Sequence, residues 1–522
     1  MEMPSHDFVM TGLSYLSTLF VTAIGVGALV VVVLFVIDVT QTKDAVRKNY
    51  PVLGRFRYLF SMLGEFFRQY FFAMDREEMP FNRAEREWID KAAKNHDNTI
   101  AFGSTKSLTP PGTAIFVNCP FPTLDEDAVE MQPLLIGPYC KMPYNAPSFF
   151  NISGMSYGAL STPAVRALSN GAKMAGCWMN TGEGGLSPYH LEGGCDIVMQ
   201  IGTAKYGVRD EEGNLCDHKL KEVAAHEQVR MFELKMSQGA KPGKGGILPA
   251  VKVTPEIAKI RGIPEGQDSI SPNRHPEINS PEEMLDMINH IRDVTGKPAG
   301  FKAVMGGFGW LETLCKTIHE RGVEHAPDFI TVDSGDGGTG AAPMPLMDNV
   351  GLVVKESLPN VSDVLHKYGL KNRIRLIVSG KLVTPSEVAW AIASGADFIN
   401  SARGFMFSLG CIQALKCNKN TCPTGITTHN KRLQKGLNPK DKAVKVANYC
   451  HNMVHEVQVL SHSCGVSRPR LMARKHVRIV QDNGKSVAMD ELFPRPEILP
   501  EYVEIAKSLE TKLEKASGSY CG

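Results

Sequence analysis

The chain has 522 residues, of which 43% are hydrophobic, and its formal net charge at pH 7 is +2. This length allows one large domain with appendages or two to three small domains, and it can bury a substantial core. A near-neutral charge provides no general attraction for nucleic acid, so we exclude that class of partner. Twelve cysteines without a secreted-type framework indicate a chain kept in a reducing compartment.

The first predicted element is a membrane-spanning helix in residues 1–38. No charged residue occurs between Phe8 and Ile37, and about 20 apolar residues suffice for a helix to cross a bilayer. A cleaved signal peptide is the main alternative, but the start M-E-M-P-S-H-D lacks a basic n-region and no small-x-small cleavage site follows. We therefore predict a transmembrane anchor.

Residues 39–110 are predicted to form interfacial or linker helices. Basic residues follow the span at Lys43, Arg47, Lys48, Arg55 and Arg57. The ionisable side chains among the seven residues before it are only acids and one histidine. The positive-inside rule then predicts a single-pass protein with a cytoplasmic catalytic domain. The aromatic residues between Tyr50 and Phe72 suit a helix in the lipid headgroup region, and they suit packing on the soluble domain equally well.

From about Phe149 onward, short apolar runs alternate with helical patterns. The predicted strands are Phe149–Ile152, Cys177–Asn180, Met231–Lys235, Asp268–Ser271, Gly300–Val304, Asp328–Val332, Ile374–Val378 and Asp397–Asn400. The predicted helices include Thr162–Ala175, Pro281–Val294, Leu311–Arg321, Leu346–Tyr368 and Pro385–Ser394. Eight alternating units predict an α/β fold, a (β/α)8 TIM barrel preceded by the transmembrane helix.

The loops that follow the predicted strands carry glycine, basic residues or small hydroxyl groups. Chemistry in such barrels sits on these loops, and phosphate groups tend to bind after strands 7 and 8. Gly380 follows the seventh predicted strand, and Arg403 and Gly404 follow the eighth. Because glycine lets backbone N–H groups approach a phosphate closely, the pattern indicates a phosphate-bearing cofactor such as a flavin.

Three cysteines, Cys411, Cys417 and Cys422, follow the last predicted strand at the spacing C-x5-C-x4-C. Thiolates are the usual ligands of iron–sulfur clusters, and three of them would suit a three-iron cluster. Pro423 and Gly425 permit the sharp turns that such convergence needs. The alternative is that these cysteines are ordinary small buried side chains.

The region from about Asn151 to Thr428 resembles the flavin-binding synthase domain of glutamate synthase. The matching motifs are T-G-E-G-G, Q-G-A-K-P-G-x-G-G-x-L-P, S-G-x-D-G-G-T-G-A-x-P and the cysteine run that ends N-T-C-P-T-G. The whole chain is similar to the short, membrane-anchored glutamate synthase-like family, which carries this domain alone. The resemblance implies an FMN-binding barrel with an iron–sulfur loop in residues 111–430. Residues 431–522 are then predicted as a C-terminal helical extension that packs on the barrel.

The resemblance implies an oxidoreductase that aminates 2-oxoglutarate, or a related 2-oxo acid, with free ammonia to give glutamate. FMN would bind at the barrel mouth, and a [3Fe-4S] cluster would pass electrons to it. Position in the motifs, together with the phosphate and charge arguments, suggests these roles: catalysis by Glu183 and Lys241; substrate binding by Lys241 and Arg261; cluster binding by Cys411, Cys417 and Cys422; and cofactor binding by Met155, Ser156, Thr181, Lys235, Gln238, Lys302, Gly337, Gly338, Gly380, Arg403 and Gly404.

Some residues depart from the family pattern. Lys244 stands where the long enzymes have glutamate, and Ile247 stands where they have glutamine. The long enzymes also carry an amidotransferase whose nucleophile is an N-terminal cysteine, whereas this chain begins Met1-Glu2. We therefore expect no glutamine hydrolysis.

Two other functions stay open from the sequence. One is a membrane-tethered flavin and iron–sulfur electron-transfer module without glutamate synthase activity. The other, oxidation of a 2-hydroxy acid, calls for a histidine in the late barrel loops, whereas His275 follows the fourth predicted strand. No G-x-G-x-x-G motif opens a dinucleotide-binding unit. We therefore expect ferredoxin, a partner flavoprotein or membrane quinone to donate electrons.

Overall fold

The computed structural model describes residues 6–129 and 131–518, and these fall into two compact units, one that ends at Ala84 and one that begins at Glu85. The helices are His6–Thr40, Ala45–Asn49, Leu53–Phe67, Arg83–Lys94, Thr162–Ala175, Pro188–Leu191, Asp217–Ala225, Pro255–Arg261, Pro281–Thr295, Gly309–Arg321, Met344–Asn349, Val354–Lys367, Pro385–Ala393, Arg403–Ser408, Lys431–Gln434, Pro439–Ser463, Met489–Leu492 and Val503–Gly518.

The first unit is built on the helix His6–Thr40, whose segment Met10–Thr40 is long and apolar enough to cross a membrane. The helix qualifies by its length and composition, and a signal sequence near an N-terminus has the same two properties. At the end of this helix, the buried carboxylate of Asp38 accepts hydrogen bonds from Arg47 and Arg55. The same carboxylate accepts the backbone N–H of Val52, so it fixes the turn into the helix Leu53–Phe67.

The second unit contains a closed barrel of eight parallel strands, which confirms the predicted TIM barrel. We number these strands β1 (Phe150–Ile152), β2 (Met179–Asn180), β3 (Ile197–Ile201), β4 (Val229–Lys235), β5 (Ala299–Val304), β6 (Phe329–Asp333), β7 (Arg375–Ser379) and β8 (Phe398–Ser401). Pairing of Ile399 on β8 with Phe150 on β1 closes the barrel. Since parallel strands end at one face, the loops after β1 to β8 share the barrel mouth.

One predicted strand is wrong. Asp268–Ser271 lies outside the barrel, where Ser269–Ile270 pairs antiparallel with Ile247–Leu248 on the long segment between β4 and β5. Ile270 is 65% exposed, so its apolar character does not reflect a barrel core. The true third strand, β3, follows β2 after only a four-residue helix, Pro188–Leu191. The long helical pattern that separates most barrel strands is therefore missing at this point.

Helices surround the barrel, and their ends follow local sequence signals. Ser161 and Ser280 cap the N-termini of Thr162–Ala175 and Pro281–Thr295, each ahead of a proline. The single helix predicted for Leu346–Tyr368 is divided into Met344–Asn349 and Val354–Lys367.

The hairpin of Leu134–Ile136 and Tyr144–Ala146 precedes the barrel. Its buried residues form one cluster with side chains from five barrel strands and from Trp178, which directly precedes β2. This cluster consists of Ile136, Tyr144, Ala146, Trp178, Val198, Met231, Phe329, Ile377 and Phe398. Each large apolar side chain buried in this way contributes about 1.5–3 kcal/mol.

Residues after β8 also pack on the barrel. The helix Pro439–Ser463 lies against Thr162–Ala175 so closely that a Cβ at Gly171 would be 2.5 Å from Val446 Cγ1. The strands Val477–Val480 and Ser486–Ala488 form a three-stranded sheet with Ala114–Phe116. The last part of the chain therefore contains strands in addition to its helices.

Candidate active site at the barrel mouth

The loop after β2 and the end of β4 bring a carboxylate and a lysine together. Glu183 Oε1 lies 3.2 Å from Lys235 Nζ, which also donates a hydrogen bond to Gln238 Oε1. Burial acts to raise the pKa of Glu183, but Lys235, Lys241 and Arg261 outweigh it and leave that pKa below its ordinary value. Glu183 is therefore a carboxylate at neutral pH.

Two glycines leave the space that Glu183 occupies. A Cβ at Gly202, after β3, would lie 2.7 Å from Glu183 Cβ, and a Cβ at Gly246 would lie 2.6 Å from Glu183 Oε1. Contacts this short do not occur between real side chains. The carboxylate is consequently held in a slot between the loop after β3 and the segment after β4.

Two further cations lie in this region without a carboxylate partner. Lys241 is 6% exposed and Arg261 is 4% exposed, and within the described residues neither makes an ion pair. Arg261 lies over the Tyr206 ring at 5.0 Å and donates to Ser269 Oγ and Tyr157 O, while its Nε is buried without a hydrogen-bond partner there. Burial lowers the pKa of both groups. Buried cations of this kind call for an anion.

A second cation–carboxylate pair spans β5 and β6. Lys302 Nζ lies 3.2 Å from Asp333 Oδ2, and Asp333 also accepts hydrogen bonds from Ser379 Oγ at 2.6 Å and Gly239 N at 2.8 Å. Burial acts to lower the pKa of Lys302, but Asp333 and Glu233 outweigh it and raise that pKa. Lys302 thus stays protonated.

Inside the barrel, Glu233 on β4 links three other strands. Its oxygens accept hydrogen bonds from Asn180 at 2.9 Å, Gln200 at 2.6 Å and Thr331 at 2.5 Å. These partners belong to β2, β3 and β6. The result is a buried polar layer beneath the mouth.

Loops after β6, β7 and β8 meet at a third position. A Cβ at Gly338 would lie 2.8 Å from Arg403 Nε, and a Cβ at Gly380 would lie 2.2 Å from Ser334 Cβ. Gly380 has a φ of +133°, which other residues rarely adopt. Lys381 Nζ lies 2.9 Å from Asp336, and burial lowers the pKa of Arg403. Close backbone approach and two cations suit a phosphate group.

The remaining predicted cofactor residues mainly shape the backbone. A Cβ at Gly182 would lie 2.5 Å from Ser156 N, so the loops after β1 and β2 touch there, beside the buried Met155. The Thr181 hydroxyl is used internally, since it donates to Gly182 O and accepts from Gln200 N. Gly337 allows close packing against Gly239, and Gly404 allows close packing against Tyr449.

The three predicted cluster cysteines lie in a tightly wound loop after β8. Leu415 and Asn420 have left-handed φ values of +53° and +56°, a strained conformation for a residue as bulky as leucine. Asn420 closes the loop by accepting hydrogen bonds from Thr428 Oγ1 and His429 N. The segment 411–428, called the cysteine loop below, is thus a defined structure.

The thiols of the cysteine loop influence one another. Burial raises the pKa of Cys411 to about 11, and Cys417 and Cys422 add to that rise. Burial also acts on Cys422, but hydrogen bonds from Thr424 and Thr427 outweigh it and lower its pKa. Three neighbouring thiols suit thiolate ligation of iron. Within the described residues, however, no group of three His, Cys, Asp or Glu side chains is arranged to hold a metal ion.

Comparison with known proteins decides the family. The family model described as the conserved region in glutamate synthase matches residues 125–467. The glutamate synthase large subunit-like protein YerD of Bacillus subtilis (strain 168) is 38% identical over 499 residues, covering 88% of this chain and 94% of YerD. The chain belongs to the glutamate synthase family.

Other relatives match over a smaller part. The archaeal glutamate synthase [NADPH] of Methanocaldococcus jannaschii is 34% identical over 327 residues, or 60% of this chain and 59% of that protein. Among solved structures, a flavocytochrome b2 with pyruvate bound has 14% identity and a TM-score of 0.44, covering 86% of this chain and 92% of that one. The assignment of the fold as a barrel rests on the observed strands and not on this likeness.

Four residues of this glutamate synthase family member were not singled out as site residues from the sequence. Asp333 ends β6 and opens the glycine-rich loop D-S-G-D-G-G-T-G, but it was not named as a site residue. Glu233 lies within β4, where a lone acid in an apolar run is the only signal. Gly202 follows the strand that was missed. Lys252, in the run P-A-V-K-V-T, is buried against the cysteine loop and has no sequence signal of its own.

Proposed function

We propose that this member of the glutamate synthase family is an FMN-dependent and iron–sulfur-dependent oxidoreductase that aminates 2-oxoglutarate, or a related 2-oxo acid, with free ammonia. The balanced reaction joins 2-oxoglutarate, ammonium, two electrons and two protons to give glutamate and water. The relative from Methanocaldococcus jannaschii supports this proposal, since it is described as a glutamate synthase.

The observation that carries the proposal is the charge of the site around Glu183. Lys235, Lys241 and Arg261 all lie near this one carboxylate, so the buried region has an excess of positive charge. Buried cations are costly unless an anion compensates them. A dicarboxylate supplies two negative charges, which matches the two cations that lack an ion-pair partner.

Lys241 and Arg261 would bind the two carboxylates of the 2-oxo acid through charge-assisted hydrogen bonds. Glu183 is ionised in the free protein, so it can take a proton from ammonium and release ammonia as the nucleophile. The same carboxyl group can then supply a proton as water leaves the 2-oxo carbon, giving the imine that is reduced.

FMN would supply the hydride that reduces this imine. Its phosphate would be held near Gly338, Gly380 and Arg403, where the loops after β6, β7 and β8 approach one another closely. Lys302 stays protonated beside Asp333 and can offset negative charge on a reduced cofactor. Gln238 is held by Lys235 and Thr339 in the same mouth.

The cysteine loop would hold a [3Fe-4S] cluster through Cys411, Cys417 and Cys422. Such a cluster would transfer single electrons from the donor, for which we propose ferredoxin, a partner flavoprotein or a membrane quinone. The thiol chemistry of the loop supports this assignment.

We further propose that residues 1–38 anchor the protein in a membrane, with the barrel on the cytoplasmic side. The apolar helix Met10–Thr40 and the basic residues that follow it support this location. The exposed aromatic side chains of Leu53–Phe67 and Arg68–Phe72 are consistent with a helix at the lipid surface. Removing residues 1–38 should release a flavin-containing barrel into the soluble fraction.

The deciding experiment supplies the detergent-purified protein with a chemically reduced donor, 2-oxoglutarate and ammonium, and measures glutamate. We expect glutamate only when all three are present. A flavin that is reoxidised equally fast with and without 2-oxoglutarate, with no glutamate formed, would instead indicate a membrane-tethered electron-transfer module. Testing a panel of 2-oxo acids would show whether Lys244 and Ile247 redirect the substrate.

A further inference from the structure

Lys252 is a buried cation that joins separate parts of the barrel mouth. It is 2% exposed, and its ammonium donates hydrogen bonds to Cys417 O at 2.7 Å, Thr427 O at 2.7 Å and Ala159 O at 3.4 Å. An ammonium has three N–H donors. Backbone carbonyls of two other segments therefore take all three.

These carbonyls belong to two different loops of the barrel mouth. Cys417 and Thr427 lie in the cysteine loop after β8, and Ala159 lies in the loop after β1. Lys252 itself lies between Lys241 and Arg261, on the segment after β4 that forms the cationic part of the site. One side chain thus connects the substrate side of the mouth to the cysteines.

Lys252 is a buried ammonium, which is an unusual choice for a position that only needs to be packed. Within the described residues Lys252 has no carboxylate partner. Burying an ammonium costs free energy that an apolar side chain would not cost. Two short hydrogen bonds to the cysteine loop offset that cost.

We propose that Lys252 is a positioning residue that holds the cysteine loop against the segment after β4, so that ligand binding at Lys241 and Arg261 is transmitted to the cysteines. The first half of this statement concerns only contacts within the chain. The second half rests on the proposed function, because it requires that a 2-oxo acid bind at those two cations.

Hydrogen exchange measured by mass spectrometry on the full-length, detergent-purified protein tests the first half. Replacing Lys252 by methionine should speed amide exchange in residues 411–428 by about tenfold or more, because the loop opens locally. Lys252→Arg keeps a cation with several donors and should restore most of the protection. Unchanged exchange in residues 411–428 of Lys252→Met would overturn the proposal.

Lys297 is a matched control at a different place in the barrel. It is 5% exposed, and its ammonium also donates to three backbone carbonyls, those of Ala224, His226 and Val229. Lys297→Met should loosen residues 224–229 and leave residues 411–428 protected. Equal loosening of the cysteine loop in both variants would show a general effect of losing a buried lysine, and would overturn the assignment.

A milder variant covers the case in which Lys252→Met fails to fold. Lys252→Gln keeps donors that can reach a carbonyl, so it should fold and show a smaller, local rise in exchange within residues 411–428. No local rise in that variant would overturn the proposal.

Adding 2-oxoglutarate tests the second half. In the wild type it should slow exchange both in residues 241–261 and in the cysteine loop. In Lys252→Met it should slow exchange in residues 241–261 alone. Protection of the cysteine loop that persists in this variant would overturn the transmission. Absence of any protection in the wild type would contradict the proposed substrate, while the effect of Lys252 on the free protein would still stand.

Discussion

Glu183 and Lys235 form an ion pair of 3.2 Å between the loop after β2 and the end of β4. Replacing Glu183 by glutamine keeps the shape of the side chain but removes its ability to accept a proton. We expect turnover to fall by about 10²–10⁴-fold, the range typical of general acid–base groups. Binding of 2-oxoglutarate should change much less, or tighten, because a negative charge has been removed.

Separate measurement of kcat and KM for glutamate formation checks this prediction. A variant that loses affinity while keeping its turnover would show that Glu183 shapes the site without transferring a proton. The control is Glu192→Gln, since Glu192 makes a partly exposed ion pair with Arg166. That variant should behave as the wild type.

Arg261→Met should weaken binding of 2-oxoglutarate by about tenfold to a hundredfold. A charge-assisted hydrogen bond contributes about 1.5–3 kcal/mol, which corresponds to that range. Titration calorimetry with the oxidised protein measures the effect without turnover, and the flavin content should not change.

Arg209 provides a control for this substitution, because its guanidinium also lies over the Tyr206 ring, at 5.9 Å. Arg209→Met removes an arginine from the same ring, yet it should leave affinity nearly unchanged. Equal losses in the two variants would mean that stacking on Tyr206, rather than contact with substrate, governs the result. Lys241→Met should match Arg261→Met in magnitude.

Cys417→Ser should remove iron and acid-labile sulfide while most of the FMN remains. The reason is that the proposed phosphate contacts come from the loops after β6, β7 and β8 outside the cysteine loop. Iron, sulfide and flavin analysis of anaerobically purified protein tests this. Cys464→Ser, which removes a buried thiol outside the cysteine loop, should retain its iron. An iron-free wild type would refute the cluster.

Asp38→Asn should loosen the segment after the apolar helix. The Asp38 carboxylate lies 2.6 Å from Arg47 and 2.7 Å from Arg55 and also accepts the Val52 N–H, so its loss removes the partner that holds these three groups together. We expect trypsin to cut after these arginines several-fold faster in native membranes. Asp75→Asn breaks an exposed pair with Arg83 and should have no such effect, as exposed pairs contribute about 0–1 kcal/mol.

Glu387 should make stability depend on pH. Burial raises its pKa from 4.5 to about 7, and Glu85 adds to the rise. The folded protein therefore binds a proton that the unfolded chain has lost between pH 4.5 and 7, so the free energy of unfolding falls as pH rises through this window. Glu387→Gln mimics the protonated group and should be more stable above pH 7, by at most about 3 kcal/mol because the side chain is partly exposed.

Melting temperatures of the wild type and Glu387→Gln at pH 4.5 and pH 8 test this prediction. They should differ at pH 8 and converge at pH 4.5. Glu283 takes the equivalent third position of the helix Pro281–Thr295, and Glu283→Gln should show no such dependence. A constant difference between wild type and Glu387→Gln at both pH values would contradict the assignment.

The barrel could be predicted because most of its strands are apolar runs followed by glycine. The predicted strands other than Asp268–Ser271 begin and end within two residues of the observed ones. The third strand was missed because Ile197–Ile201 follows a very short helix, whereas the hairpin at Ser269–Ile270 imitates a strand in sequence. Chain order alone cannot distinguish a barrel strand from a surface hairpin of the same composition.

The site was predicted where a motif, a position matched to the family or a place directly after a predicted strand pointed to it. Glu183 and Lys241 lie in motif segments, whereas Arg261 lies outside the quoted motifs, and the structure brings all three to one place. Lys252 and Glu233 lie outside any motif, because their importance comes from what surrounds them in space. A buried lysine with carbonyl partners cannot be recognised from its neighbours in the chain.

The slot made by Gly202 and Gly246 has a consequence for how this site can evolve. Since a Cβ at either glycine would overlap the side chain of Glu183, a mutation at one position changes which residues the others tolerate. In a library that randomises positions 183, 202 and 246 together, a larger residue at 202 should survive only beside glycine at 183, because the overlap there is with Glu183 Cβ. A larger residue at 246 meets Glu183 Oε1 and should survive beside any shorter residue at 183. Mutational effects at these three positions are thus epistatic, and a new substrate preference would require coordinated changes at them.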